Sequence, residues 1–147
     1  MWYFAYGSNM SRTQMAERCP GHGRGLPGRL PGYRLAFDRY SEGRGGGHVA
    51  DIPRSPDAEV WGVLWDVTEN HLEALDGFEG VAAGIYRRIE VEVESAEGPL
   101  LAVAYQISEP AEEGPPSRIY LDLLLEGAIE FGFPGAFVET LRVRHDD

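Results

Sequence analysis

The stretch VWGVLWDV, residues 60–67, is apolar at almost every position. A strand with one wet face alternates, so a nearly unbroken run rich in valine and tryptophan reads as a central strand buried on both sides. Everything else in the chain must supply its cover. With 147 residues there is enough chain for one domain, 1–147, enclosing a real core.

The neighbouring segments read as short alternating elements. Trp2–Tyr6 reads as a first strand and Ser11–Arg18 as a short helix stopped by Cys19-Pro20-Gly21. The Gly/Pro/Arg stretch GHGRGLPGRLPG reads as a loop, Tyr33–Phe37 as a strand and SEGRGGG as a flexible connection. His48–Ile52 is a short strand, and Pro53 to Asp57 a turn. Thr68 is an N-cap, Leu72 and Leu75 face inward, and Gly77 is placed to end the helix. Tyr86–Glu94 alternates strictly, Leu100–Ile107 is another strand, and SEPAEEGPP is a loop. Ser117–Phe131 has helical periodicity, and Pro134–Leu141 reads as a last short helix. About six strands and three or four helices make an α+β domain, with short links favouring a mainly antiparallel sheet or barrel.

Charge and composition exclude several function classes. Residues 11–54 carry a net charge of +4 and residues 55–147 a net of −15, which account for the total of −11. An overall basic field for nucleic acid is absent. The simple reading of the asymmetry is that the two halves neutralise each other; the functional one is a locally positive N-terminal region suited to a small anion. All thirteen basic residues are arginine, so Schiff-base lysine chemistry and a Walker-A loop are excluded. No apolar run reaches membrane-spanning length, and WYFAY is too short for a signal peptide. One cysteine allows no intrachain disulfide, and a cytoplasmic protein is the expectation.

Several motif-like strings fail on context. Gly23–Gly28 spells a dinucleotide fingerprint, but no βαβ unit surrounds it. His22, His48, His71 and His145 lack ligand spacing to one another or to Cys19, so no metal site is expected. Cys19 sits at the wrong helix end for an activated thiol. Ser8 lacks the second glycine of a nucleophile elbow. Two segments keep two readings each. Gly7-Ser8-Asn9 is either a turn plus cap or a loop offering backbone N–H groups to an anion. Glu79, in a turn past the helix end beside Phe78, is either a solvated loop acid or a desolvated general base.

Taken together, the motifs resemble the γ-glutamylcyclotransferase-like family. The resemblance rests on Tyr6-Gly7-Ser8-Asn9, Gly46-Gly47-His48-Val49-Ala50, Trp61-Gly62-Val63-Leu64-Trp65, Leu75-Asp76, Glu79-Gly80-Val81 and Gly84-Ile85-Tyr86. It continues through Pro116-Ser117-Arg118-Ile119-Tyr120 and Gly127–Gly132. These run in order from about residue 3 to about residue 135. The resemblance implies a small mixed barrel with flanking helices and no metal or cofactor. It implies that Tyr6, Gly7, Ser8 and Asn9 bind the substrate's glutamyl end, and that Glu79 is the catalytic acid/base. Tyr120 matches the family's tyrosine and is expected at the site, its hydroxyl near Glu79 or the ligand.

The implied reaction needs no protein nucleophile. The α-amine of a γ-glutamyl amino acid or amine attacks its own γ-carbonyl, giving 5-oxoproline and a free amine. The expected partner is therefore a small γ-glutamyl molecule, with no nucleic acid and no membrane; the oligomeric state is left open. The rival readings are a non-catalytic module that binds a small carboxylate metabolite, and the same chemistry on another γ-glutamyl donor. Segments 21–32 and 41–47 are the candidate leaving-group loops, with plain linker as the alternative.

Overall fold

The structure, a computed structural model, describes residues 1–146; Asp147 and the side chains of His145 and Asp146 lie outside what is described. In chain order it comprises β1 (Trp2–Ala5), a 3₁₀ turn (Ser8–Met10), α1 (Arg12–Arg18), β2 (Gly25–Tyr33), β3 (Ala36–Ser41), β4 (Gly47–Asp51) and β5 (Arg54–Asp66). There follow α2 (Glu69–Glu79), β6 (Tyr86–Ser95), β7 (Gly98–Ile107), α3 (Arg118–Glu130) and α4 (Gly135–Arg142). Five strands close a barrel in the order β1-β5-β2-β6-β7, while β3 and β4 form a separate hairpin. The closing β1–β7 seam is parallel and the other barrel pairs antiparallel, so the expected α+β mixed barrel is what forms.

The apolar run at 60–67 sits where its composition demands. β5 lies between β1 (Tyr3↔Trp65, Ala5↔Val63) and β2 (Leu26↔Leu64, Gly28↔Gly62). Val60, Val63, Leu64 and Trp65 are fully buried. Thr68 caps α2 as expected, its hydroxyl accepting the His71 N–H while the His71 ring accepts the Thr68 N–H.

Four expectations are corrected. The GHGRGLPGRLPG stretch contains a nine-residue barrel strand, β2, despite Pro27 and Pro31. β2 meets β5 along its length but pairs with β6 only at Arg29↔Glu94, so one side has few ladder bonds for a proline to break. The strand expected at Tyr33–Phe37 is split: β2 ends at Tyr33 and β3 starts at Ala36. The turn expected at Pro53 to Asp57 belongs largely to the long β5. Finally, α2 runs past Gly77 to Glu79, because Gly80 adopts φ +67° and closes the helix with the left-handed cap that glycine tolerates best.

The charge asymmetry resolves by pairing across the two halves. Arg12 meets Glu130, Arg24 meets Glu97, Arg29 meets Glu59 and Glu94, and Arg34 meets Glu113. Such exposed pairs are screened by solvent and add little to stability. Stability therefore rests on the packed barrel. Leu64→Ala should cost about 2–5 kcal/mol in denaturant unfolding. Leu101, on β7 of the same barrel but 61% exposed, should tolerate alanine within about 0.5 kcal/mol. Equal losses at the two leucines would refute this account of the core.

Candidate active site

A cleft with about 310 Å³ of free space, open mouth included, lies between the end of β1, the end of α2 and the start of α3. Tyr6, Gly7, Ser8, Asn9, Glu79 and Tyr120, all six residues singled out from the sequence, line it. The first strand delivers the Tyr6–Asn9 segment, and the 3₁₀ turn bends it back across the cleft. Trp65, on the adjacent strand, donates its indole N–H to the Asn9 carbonyl at 2.9 Å and pins that turn.

The Ser8 and Asn9 side chains are engaged by the protein itself. Gln14 donates to the Ser8 hydroxyl and to Asn9 Oδ1; Arg18 also donates to Asn9 Oδ1, while Asn9 Nδ2 donates to the Tyr3 hydroxyl at 3.0 Å. The backbone is different. Among the described residues, none accepts a hydrogen bond from the N–H of Gly7, Ser8 or Asn9. Three N–H groups at the start of a helical turn form a small electropositive cradle. Gly7 is required by close approach: a Cβ there would lie 2.8 Å from the Tyr120 hydroxyl.

Glu79 is the last residue of α2, not a loop residue, and only 8% of its surface is exposed. Its carboxylate makes no hydrogen bond to another described group; its ionic partner is Arg44, Nη2 to Oε2 at 3.8 Å. Burial raises the Glu79 carboxyl above the ordinary carboxylate range, and the charges of Arg44 and Arg18 oppose that rise. Arg44 also donates to the Phe78 carbonyl at 3.3 Å, and Arg18 stacks on the Phe78 ring.

Five tyrosines complete the wall. Burial raises the pKa values of Tyr3, Tyr6, Tyr86 and Tyr105 well above the usual phenol value, and that of Tyr120 to about 12, so all stay protonated at neutral pH. Tyr6 donates to the Tyr105 carbonyl, Tyr86 to the Ala50 carbonyl at 2.7 Å, and Tyr105 to Asp76 at 2.7 Å. The Tyr120 hydroxyl makes no hydrogen bond to Glu79; it accepts the Ala50 N–H at 3.0 Å. Its own proton is thus left for whatever occupies the cleft.

Sequence reasoning missed Arg18, Arg44, Tyr3, Tyr86 and Tyr105. Tyr86 lay inside a quoted motif without a role. Arg44 lay in a glycine-rich tip read as a flexible connection. Of the two candidate leaving-group loops, 41–47 borders the cleft through Arg44, whereas none of 21–32 lines it.

A closed mixed barrel whose mouth holds one buried carboxylate opposite a backbone cradle is the framework of a small-molecule enzyme. Residues 59–141 match the sequence model of the AIG2-like family. Over 144 residues the chain is 36% identical to the γ-glutamylcyclotransferase of Homo sapiens and 39% to that of Bos taurus, each alignment taking 95% of this chain and 76% of the relative. A solved γ-glutamyl cyclotransferase superimposes with a TM-score of 0.91 at 34% identity, covering 98% of this chain and 87% of that one. The chain belongs to the AIG2-like family, and the curated relatives it matches include mammalian γ-glutamylcyclotransferases. Among the described residues no cluster of His, Cys, Asp or Glu could hold a metal ion, and no helix is long and apolar enough to cross a membrane.

The opposing influences on Glu79 can be measured. Arg44→Gln removes a charge that lowers the Glu79 carboxyl, so its titration, followed by carboxyl ¹³C NMR, should move to higher pH. An unchanged or downward midpoint would contradict the electrostatics described.

Proposed function

We propose that this γ-glutamylcyclotransferase-type enzyme cyclises the γ-glutamyl group of a small substrate to 5-oxoproline and releases the amine it carried. The observation that supports this most is a buried carboxylate, Glu79, sharing one small cleft with three uncommitted backbone N–H groups at Gly7–Asn9. A purely binding module has less use than an acid/base catalyst for a desolvated carboxyl raised above its ordinary range.

In this reading the cleft folds the glutamyl chain so that its α-nitrogen lies against its γ-carbon, and proximity supplies much of the rate. Glu79 takes a proton from the α-ammonium. The α-nitrogen–γ-carbon bond forms, Glu79 returns the proton to the departing nitrogen as the bond from that carbon to it breaks, and a second proton passes from the α-nitrogen by the same carboxylate, so that 5-oxoproline keeps one ring N–H and the amine leaves as its ammonium. Burial suits Glu79 to the task, since a carboxyl raised above its ordinary range is a better base once ionised and gives the proton back at neutral pH. The Gly7–Asn9 N–H groups receive an oxygen of the substrate, and the Tyr120 proton offers a further donor. The leaving group extends toward the 41–47 tip, where two depressions flank Arg44. Arg39, Phe78 and Ile85 border one, and Gln14, Ile119 and Leu123 border the other.

The test is turnover of a panel of γ-glutamyl amino acids and amines with 5-oxoproline as the readout. Glu79→Gln should fold normally yet lose at least about 10²-fold in kcat on any substrate found. Near-normal turnover in that variant would remove Glu79 from the mechanism. Tyr120→Phe keeps the buried ring and discards the hydroxyl. It should lower turnover severalfold with little change in melting temperature, and equal loss of both would make Tyr120 a packing residue only.

A further inference from the structure

Beside the cleft, two buried carboxyl groups each keep an oxygen that no described donor reaches. Asp38 is 4% exposed and Asp51 fully buried. They lie on the two strands of the β3–β4 hairpin, where the register slips between Ala36 and Arg39, and the Asp51 carboxyl is close enough to Asp38 to raise its pKa. Asp51 Oδ1 is committed, accepting the N–H groups of Ile52 at 2.8 Å and Ile107 at 2.9 Å. Asp51 Oδ2 and Asp38 Oδ1 are the buried side-chain oxygens that no donor reaches among the described residues. Two ionised carboxylates have only acceptors to offer each other. A single proton held between them satisfies both.

The surroundings agree. From the segment after β7, Glu113 adds a further negative charge, itself held by the Phe37 N–H and by Arg34 and Arg144. Tyr6 from the end of β1 and Tyr86 from β6 lie within electrostatic reach of Asp51, and burial keeps both phenols protonated. β7 contributes the Ile107 N–H. No described arginine pairs with either aspartate.

The pair stands next to the groups that frame the cleft. Asp51 follows Ala50, whose N–H donates to the Tyr120 hydroxyl and whose carbonyl accepts from Tyr86. The Ile107 bond ties the same strand end to β7.

We propose that Asp38 and Asp51 share one proton and act as positioning residues, clamping the hairpin to the barrel so that Ala50 holds the Tyr86 and Tyr120 hydroxyls at the cleft. The inference rests on the proposed function only for its effect on turnover. Desolvation first, and then the contact with Asp51, raise the Asp38 carboxyl to about 7. In the unfolded chain it titrates near 3.9. The folded state therefore binds the proton more tightly, and the pair's contribution to stability is full below about pH 4 and declines as pH rises toward about 7. Above that, two charges remain buried side by side.

Asp38→Asn tests this, because a carboxamide donates to Asp51 at any pH. Relative to wild type, the variant's melting temperature should rise by at least about 3 °C between about pH 5 and about pH 8. On the wild-type protein alone, carboxyl ¹³C NMR should find one aspartate still protonated at about pH 6, and the ring ¹³Cζ signals of Tyr86 and Tyr120 should shift as it ionises. In Asp38→Asn those tyrosine signals should stay still over the same range. With a turned-over substrate, wild-type kcat should fall at least about threefold from about pH 7 to about pH 8.5, and the variant's should not. Ionised aspartates throughout at pH 6, or melting profiles that run parallel, would overturn the shared proton. Tyrosine signals indifferent to the pair's titration would overturn the positioning role. Both of these readouts are independent of catalysis, so failure of the cyclisation reading would show separately, as absence of 5-oxoproline from every substrate.

Discussion

Removing a carboxylate from water costs several kcal/mol unless charge or hydrogen bonds replace the lost solvent. Glu79 meets that constraint with charge, since it has no hydrogen bond to a described group and one arginine 3.8 Å away. Much of the molecule around it is arranged accordingly. Arg44 reaches Glu79 from the hairpin tip, and that tip is tied down twice: the Ser117 hydroxyl donates to the Arg44 carbonyl at 2.9 Å, and the His48 N–H to the Pro115 carbonyl at 3.0 Å. Ser117 is also the N-cap of α3, so one side chain positions both the arginine and the helix that carries Tyr120.

The barrel works as a mount for these pieces. β1 projects the cradle, and its neighbour β5 holds the cradle's far side through the Trp65 indole. α2 is braced from below. Arg88 on β6 makes two hydrogen bonds to Asp76, at 2.8 and 2.7 Å, and the Tyr105 hydroxyl on β7 adds a third. Burial would raise the Asp76 carboxyl, but those donors outweigh it and hold it below the usual range. Two acids three residues apart on one helix are thus driven in opposite directions. Asp76 has abundant donors and stays a structural anion, whereas Glu79 has none and remains available to a proton.

Much of this was legible from residue pattern. The apolar run at 60–67, the strict alternation of 86–94 and the Thr68 cap are local signals, and each corresponds to the element they imply. The failures share a cause. β2 was hidden because glycine and proline argue locally against a strand, and the barrel needs that edge closed regardless of propensity. The end of α2 was misjudged because Gly77 and Gly80 are equivalent as letters. Only backbone conformation decides which of them takes the left-handed cap.

For the site, the chain's letters determined which motifs were present: a hydroxyl and carboxamide after a first strand, a glutamate before a glycine, a tyrosine after a serine cap. Those residues do line one cleft. Sequence could not say that the Ser8 and Asn9 side chains turn into the protein while their N–H groups remain free. Hydrogen-bond allocation depends on Gln14, Arg18 and Trp65, which approach from other elements. Nor could it separate Glu79 from the other acids of an acidic chain, or find the Asp38–Asp51 pair. A carboxyl group's chemistry is set by its loss of water and by the charges that reach it, and both are properties of packing between segments far apart in the chain.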